Sequence, residues 1–93
     1  MPTVTELAKG ARFTAKRMQA KAGEKMPEHR ADQESILYIQ QGECSIKMDQ
    51  GEFFPKPGEA IRIPPYAKHQ ITAITDYKGI HFMPLDIKFE FFK

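Results

Sequence analysis

The sequence predicts an all-β, antiparallel sandwich or barrel. Three observations carry that expectation. From Ser35 onward, short apolar and aromatic runs recur at regular spacing with Gly or Pro between them. Several of these runs alternate apolar and polar residues, the period-2 mark of a half-buried strand. Two histidines forty residues apart, His29 and His69, each sit in a frame of Gly and Pro residues, the first opening at Gly23 and the second at Pro57-Gly58.

The elements follow in order. Residues 1–12 read two ways: their Ala, Lys, Glu and Leu content favours a helix, with Thr5 as a cap, but Gly10 interrupts it. The expectation is an irregular or short helical start, then a strand from about Phe13. There Met18, Ala20 and Ala22 alternate with Arg17, Gln19 and Lys21. Ser35 to Ile39 is apolar and aromatic and ends at Gly42, while Cys44, Ile46 and Met48 share one face of the next strand. Cys44 therefore reads as a small core residue rather than a nucleophile. Asp49-Gln50-Gly51 turns the chain into Glu52-Phe53-Phe54, a hairpin. Pro57-Gly58 precedes a strand from Ala60 to Ile63. Pro64-Pro65 ends it, since neither residue can donate to a ladder. His69 to Ile74 and Gly79 to Met83 are two more strands, separated by a turn at Asp76. In the tail, Leu85, Ile87, Phe89 and Phe91 alternate with Asp86, Lys88 and Glu90, which predicts a C-terminal strand over 85–92. That strand either closes its own sheet or, by burial or edge pairing, helps form a homodimer.

Composition narrows the function classes. Ninety-three residues allow one domain, 1–93. No apolar run is long enough for a membrane span, and no signal-peptide pattern opens the chain, so the default location is cytoplasmic. A single Cys excludes an internal disulfide and a Cys-based zinc cage. Net charge is only +2. Lys9 to Lys25 is basic, but no aromatic residues alternate with those bases as a single-strand binder would require, so nucleic acid is set aside. No Ser-His-Asp order, phosphate-cradling Gly loop or paired-carboxylate pattern stands out.

The two histidine frames resemble the motifs of the cupin family, G-x5-H-x-H-x3,4-E-x6-G and G-x5-P-x-G-x2-H-x3-N. Gly23, His29 and Gly42 match the first, and Gly58, Pro64 and His69 match the second in register. The short spacer resembles that of the small single-domain (RmlC-like) members. The resemblance spans about residues 17 to 83 and implies a double-stranded β-helix, or jelly-roll barrel, with both histidines facing its interior. Strand parity agrees: Ser35, Leu37 and Ile39 would share the inner face, as would His69, Ile71 and Ala73.

The departures from the motif bear on function. The family's second metal histidine falls on Ala31, its glutamate on Ser35, the second-motif glycine on Tyr66 and the closing asparagine on Ala73. Two of four metal positions remain, His29 and His69, whereas protein sites for zinc or iron normally supply three or four side chains. A third ligand for Zn, Fe, Mn or Ni would have to come from Asp32 at the mouth, from Glu34 through a bulge, or from His81 on a neighbouring strand. Without a metal, the two imidazoles can still orient a small polar or anionic ligand. Ser35 would stand beside them, Tyr66 at the rim would narrow the entrance or lend a hydroxyl, and Arg62 or Arg30 would pair a carboxylate. The expected function is binding of a small molecule in the barrel. The alternative is a metal-dependent enzyme of dioxygenase or isomerase type, and a purely structural or interaction domain stands third.

Overall fold

The computed structural model describes residues 2–92; Met1 and Lys93 lie outside the described residues. Among these are ten strands and no helix: β1 (Thr3–Lys9), β2 (Phe13–Ala20), β3 (His29–Ala31), β4 (Ser35–Gln41), β5 (Cys44–Met48), β6 (Gly51–Phe53), β7 (Ala60–Ile63), β8 (His69–Ala73), β9 (Tyr77–Pro84) and β10 (Phe89–Phe91). They form two five-stranded antiparallel sheets, β1-β2-β9-β4-β7 and β10-β3-β8-β5-β6. Neighbours in each sheet are mostly distant in sequence, so the chain crosses repeatedly between sheets, as a jelly roll does. Among the described residues no helix is long and apolar enough to cross a membrane.

The core lies between the sheets, where period-2 alternation turns one face of each strand inward. Ser35, Leu37 and Ile39 of β4 are buried while Ile36 and Tyr38 between them are exposed; β8 buries His69, Ile71 and Ala73. Cys44, Ile46 and Met48 are buried on β5. Leu37, Ile39, Ile46 and Ile71 are fully enclosed, each such aliphatic side chain contributing about 1.5–3 kcal/mol. On β9 the inward residues are Tyr77, Gly79, His81 and Met83. Gly79 makes room for its neighbour, because a Cβ there would fall 2.0 Å from the Tyr77 hydroxyl.

Two segments differ from the sequence expectation. Residues Thr3–Lys9 are strand, not helix or irregular coil. They pair with β2, with a bulge between Glu6 and Ala8. Every residue of β1 is exposed, so no burial alternation marks it in the sequence, and the pairing overrides helix propensity. The tail is not one strand over 85–92. Ile87 N–H donates to the Pro84 carbonyl in a turn, and only Phe89–Phe91 is extended. That short strand closes its own sheet against β3.

Gly42, which ends β4, is the turn where glycine is required. Its φ is +81°, and a Cβ would meet the Asp76 carbonyl oxygen at 2.0 Å. Gly58 has a similar φ of +88° but open space around it. Gly42→Ala should therefore cost about 2–4 kcal/mol, and Gly58→Ala only about 1–2 kcal/mol from the left-handed backbone. Urea unfolding of both variants checks this; equal losses would show that the Asp76 contact is relieved at no cost.

Candidate functional site

His29 and His69 face each other as the one paired position between β3 and β8. Their ring centroids are 4.3 Å apart at an interplanar angle of 60°. His69 is buried and His29 half-buried. Each ring is anchored the same way. Nδ1 of His29 donates to the Pro27 carbonyl at 2.9 Å, and Nδ1 of His69 donates to the Ala67 carbonyl at 2.8 Å. A carbonyl oxygen can only accept, so the proton resides on Nδ1 and, in the neutral ring, Nε2 carries a bare lone pair. Burial pushes the His69 pKa below its usual value; the Ala67 bond opposes this, and the neighbouring His29 adds to it.

His81 joins the pair from the other sheet. It is inward on β9, opposite Leu37 of β4 on one side and Lys16 of β2 on the other. Burial pushes its pKa down to about 4, with smaller contributions from His69 and His29. Its Nε2 is buried without a hydrogen-bond partner. The sequence left the parity of this residue open, and the inward register of Tyr77, Gly79 and Met83 determines it.

The remaining sequence candidates lie elsewhere. Asp32 is committed to the tail: its carboxylate accepts from Lys88 N–H at 2.9 Å, and its own N–H donates to the Lys88 carbonyl. Glu34 sits outside, accepting from Arg62 Nε at 2.6 Å with both side chains more than half exposed. The β4 ladder begins only at Ser35, so no bulge turns Glu34 inward. Arg62 is thus held on the outer face. Tyr66 is an exposed turn residue with φ of 62°, its N–H bonded to the Ala31 carbonyl and its ring near the Arg30 guanidinium. Arg30 is also outward, paired with Glu90 at 2.6 Å. Ser35 and Ala31 are buried where the family motif has ligands. Cys44 is enclosed, and burial raises its thiol to about 11, far from a reactive thiolate. Among the described residues, no three His, Cys, Asp or Glu side chains are arranged to hold a metal ion.

Sequence reasoning missed the aromatic wall. Phe89 and Phe91 of β10 pair with Ala31 and His29, which puts their rings on the same face as the imidazole. Their centroids lie 5.7 and 5.4 Å from the His29 ring. The rings remain 43% and 61% exposed, so they offer apolar surface to a visiting molecule. Their alternation with Glu90 was legible; their partner strand was not, because β3 is only three residues long.

The depressed His81 pKa has a consequence for stability. Above pH 6.5 the ring is neutral in both folded and unfolded chains. As pH falls, the unfolded ring takes up its proton near 6.5, while the folded ring resists until about 4. Stability is therefore lost as pH drops across that window, by about 3 kcal/mol for a shift of this size. His81→Leu should flatten this part of the pH dependence between pH 7 and 4.5 in urea unfolding. An unchanged slope would show that His81 titrates normally.

Comparison with known proteins gives one family. The family model described as a cupin domain matches residues 16–83. A cupin superfamily protein from Desulfitobacterium hafniense superposes with a TM-score of 0.83 at 21% identity, over 92% of this chain and 79% of that one. A conserved protein of unknown function from Streptococcus pyogenes superposes with a TM-score of 0.78 at 16% identity, over 88% and 72%. Salicylate 1,2-dioxygenase from Pseudoaminobacter salicylatoxidans, crystallised with gentisate, gives 0.86 at 8% identity; the match covers 97% of this chain but only 28% of the dioxygenase. No curated protein matches the sequence.

Proposed function

The chain belongs to the cupin family, and we propose that it binds a small molecule inside the barrel at His29 and His69. One observation carries this reading: both rings tie Nδ1 to a backbone carbonyl and leave Nε2 as an acceptor. Two adjacent lone pairs repel an anion and favour a ligand that donates, such as a hydroxyl or N–H group. This narrows the polar or anionic class that the sequence allows. Phe89 and Phe91 supply an apolar face beside the donor site, and Ser35 adds a buried hydroxyl on the inner face of β4. Such a division into apolar walls and a few convergent polar groups is usual for small-ligand sites.

A second reading, a metal-dependent enzyme, is favoured by the unpartnered Nε2 of His81. Of the three candidate third ligands, Asp32 and Glu34 are occupied elsewhere, and His81 alone faces the interior. As the side chains stand, they do not complete a metal site. Zn, Fe, Mn or Ni bound there would supply Lewis-acid or redox chemistry; the residues of this chain supply imidazole nitrogens and an apolar surround.

Phenol tests the first reading, with toluene as a control lacking the donor. Nitrogen NMR on labelled histidine should show the Nδ1–H tautomer at His29 and His69, and phenol should shift both Nε2 signals far more than toluene does. Nε2–H tautomers, or no phenol response, would refute it. Metal analysis separates the second reading. Stoichiometric metal in the purified protein, lost in each of His29→Ala, His69→Ala and His81→Ala, would place the metal reading first.

A further inference from the structure

Beside the histidines, one end of the sandwich opens as a cleft of about 280 Å3. Its walls include Thr14, Lys16, Met83, Leu85, Ile87 and Phe89. The cleft follows from the topology. β1 sits at the sheet edge, pairs with β2 alone and is exposed along its whole length. Residues of β1 and β2 line one wall of the cleft, and the end of β9, the turn that leads into β10 and Phe89 line the other.

Lys16 stands on the inward register of β2, in line with buried Thr14 and Ala20. Its cross-strand neighbours are His81 on β9 and Glu6 on β1. It has no ion pair among the described residues. The Glu6 carboxylate is turned to the Thr14 hydroxyl, which donates to it at 3.0 Å and lies equally close to the Ala8 carbonyl. Lys9 also lines the cleft, so two cations face one carboxylate. The rest of the lining is aliphatic and aromatic.

We infer that this cleft binds a small monocarboxylate with an apolar tail, its carboxylate on Lys16 and its tail against Met83, Leu85, Ile87 and Phe89. Lys16 is a half-buried residue with no ion pair among the described residues, so a carboxylate in the cleft has a cation to pair with, and the apolar walls gain from covering a hydrocarbon chain. Phosphate would leave those walls wet. The neutral histidine pair presents Nε2 acceptors, which give a carboxylate no donor. The cleft shares the Phe89 ring with the site proposed above but has its own cation, Lys16, and does not depend on that reading.

Hexanoate is the probe, with hexanamide as its neutral control, titrated into the labelled full chain and followed by backbone amide NMR. Hexanoate should shift the amides of Thr14, Lys16, Met83, Ile87 and Phe89, and hexanamide should bind much more weakly. Lys16→Met, which keeps the apolar stem, should weaken hexanoate about tenfold. Glu6→Gln, which removes the opposing charge, should tighten it about threefold. The same spectra report whether each variant is folded; should Lys16→Met unfold, Glu6→Gln carries the test alone. Absence of shifts, equal binding of the amide, or an affinity indifferent to both substitutions overturns the inference. Shifts centred on His29 and His69 would overturn it too, while leaving the histidine site standing.

Discussion

The rest of the site depends on how the segment Gly23–Ala31 is laid along β8. Gly23 N–H bonds the Ala73 carbonyl, Lys25 bridges Thr72, Met26 N–H bonds the Ile71 carbonyl, and His29 pairs with His69. From Lys25 to His29 the chain advances four residues while β8 recedes three, from Thr72 to His69. One extra residue must leave the ladder between them. Pro27 falls in that stretch and has no N–H to donate, so the irregularity costs no hydrogen bond at that position. Its carbonyl, freed from the ladder, is the one that holds His29 Nδ1. The slip that brings the two imidazoles opposite each other thus also provides the group that orients one of them.

Burial then sets the chemistry. Enclosure disfavours the charged form of His69 and His81, mainly by desolvation and to a smaller extent by repulsion from neighbouring imidazoles. Both His69 and His81 are depressed, with desolvation the largest cause for each. A neutral ring with Nδ1 committed to the backbone has one remaining function, as an acceptor through Nε2. The pair is better suited to receiving a proton-bearing group or a cation than to gripping an acid. The carboxylate binders that the sequence suggested, Arg30 and Arg62, are both outside and paired with Glu90 and Glu34.

Much of this architecture was legible because inward and outward residues alternate. The faces of β4, β5 and β8 follow from hydrophobic periodicity, and the Gly and Pro frames around His29 and His69 mark the turns between them. What escaped has a physical reason in each case. β1 has no buried face, so periodicity cannot reveal it. The tail keeps its alternation through residues 85–88, where the backbone turns and Leu85 and Ile87 line a cleft rather than the face of a ladder. Asp32 and Glu34 look available as neighbours of the histidine frame, but their partners, Lys88 and Arg62, are distant in sequence. The aromatic wall likewise rests on a long-range pairing between β3 and β10.

That pairing divides its residues by face. Outward, Arg30 meets Glu90 and lies near the rings of Tyr66 and Phe92, and Lys68 also lies over the Phe92 ring. These contacts are exposed, and a surface ion pair of this kind contributes about 0–1 kcal/mol. Backbone bonds add firmer ties: Phe92 N–H to the Glu28 carbonyl, and the reciprocal bonds between Asp32 and Lys88. Because all of this fastening uses the outer face or the backbone, the inner face of β10 is left free. Phe89 and Phe91 are held in place without being consumed by the contacts that hold them. Phe89 touches His29 on one side and lines the Lys16 cleft on the other. One ring therefore separates an interior of imidazole acceptors from a cleft with a cationic wall. A substitution at Phe89 would disturb both environments, whereas one at Phe91 would act on the histidine side.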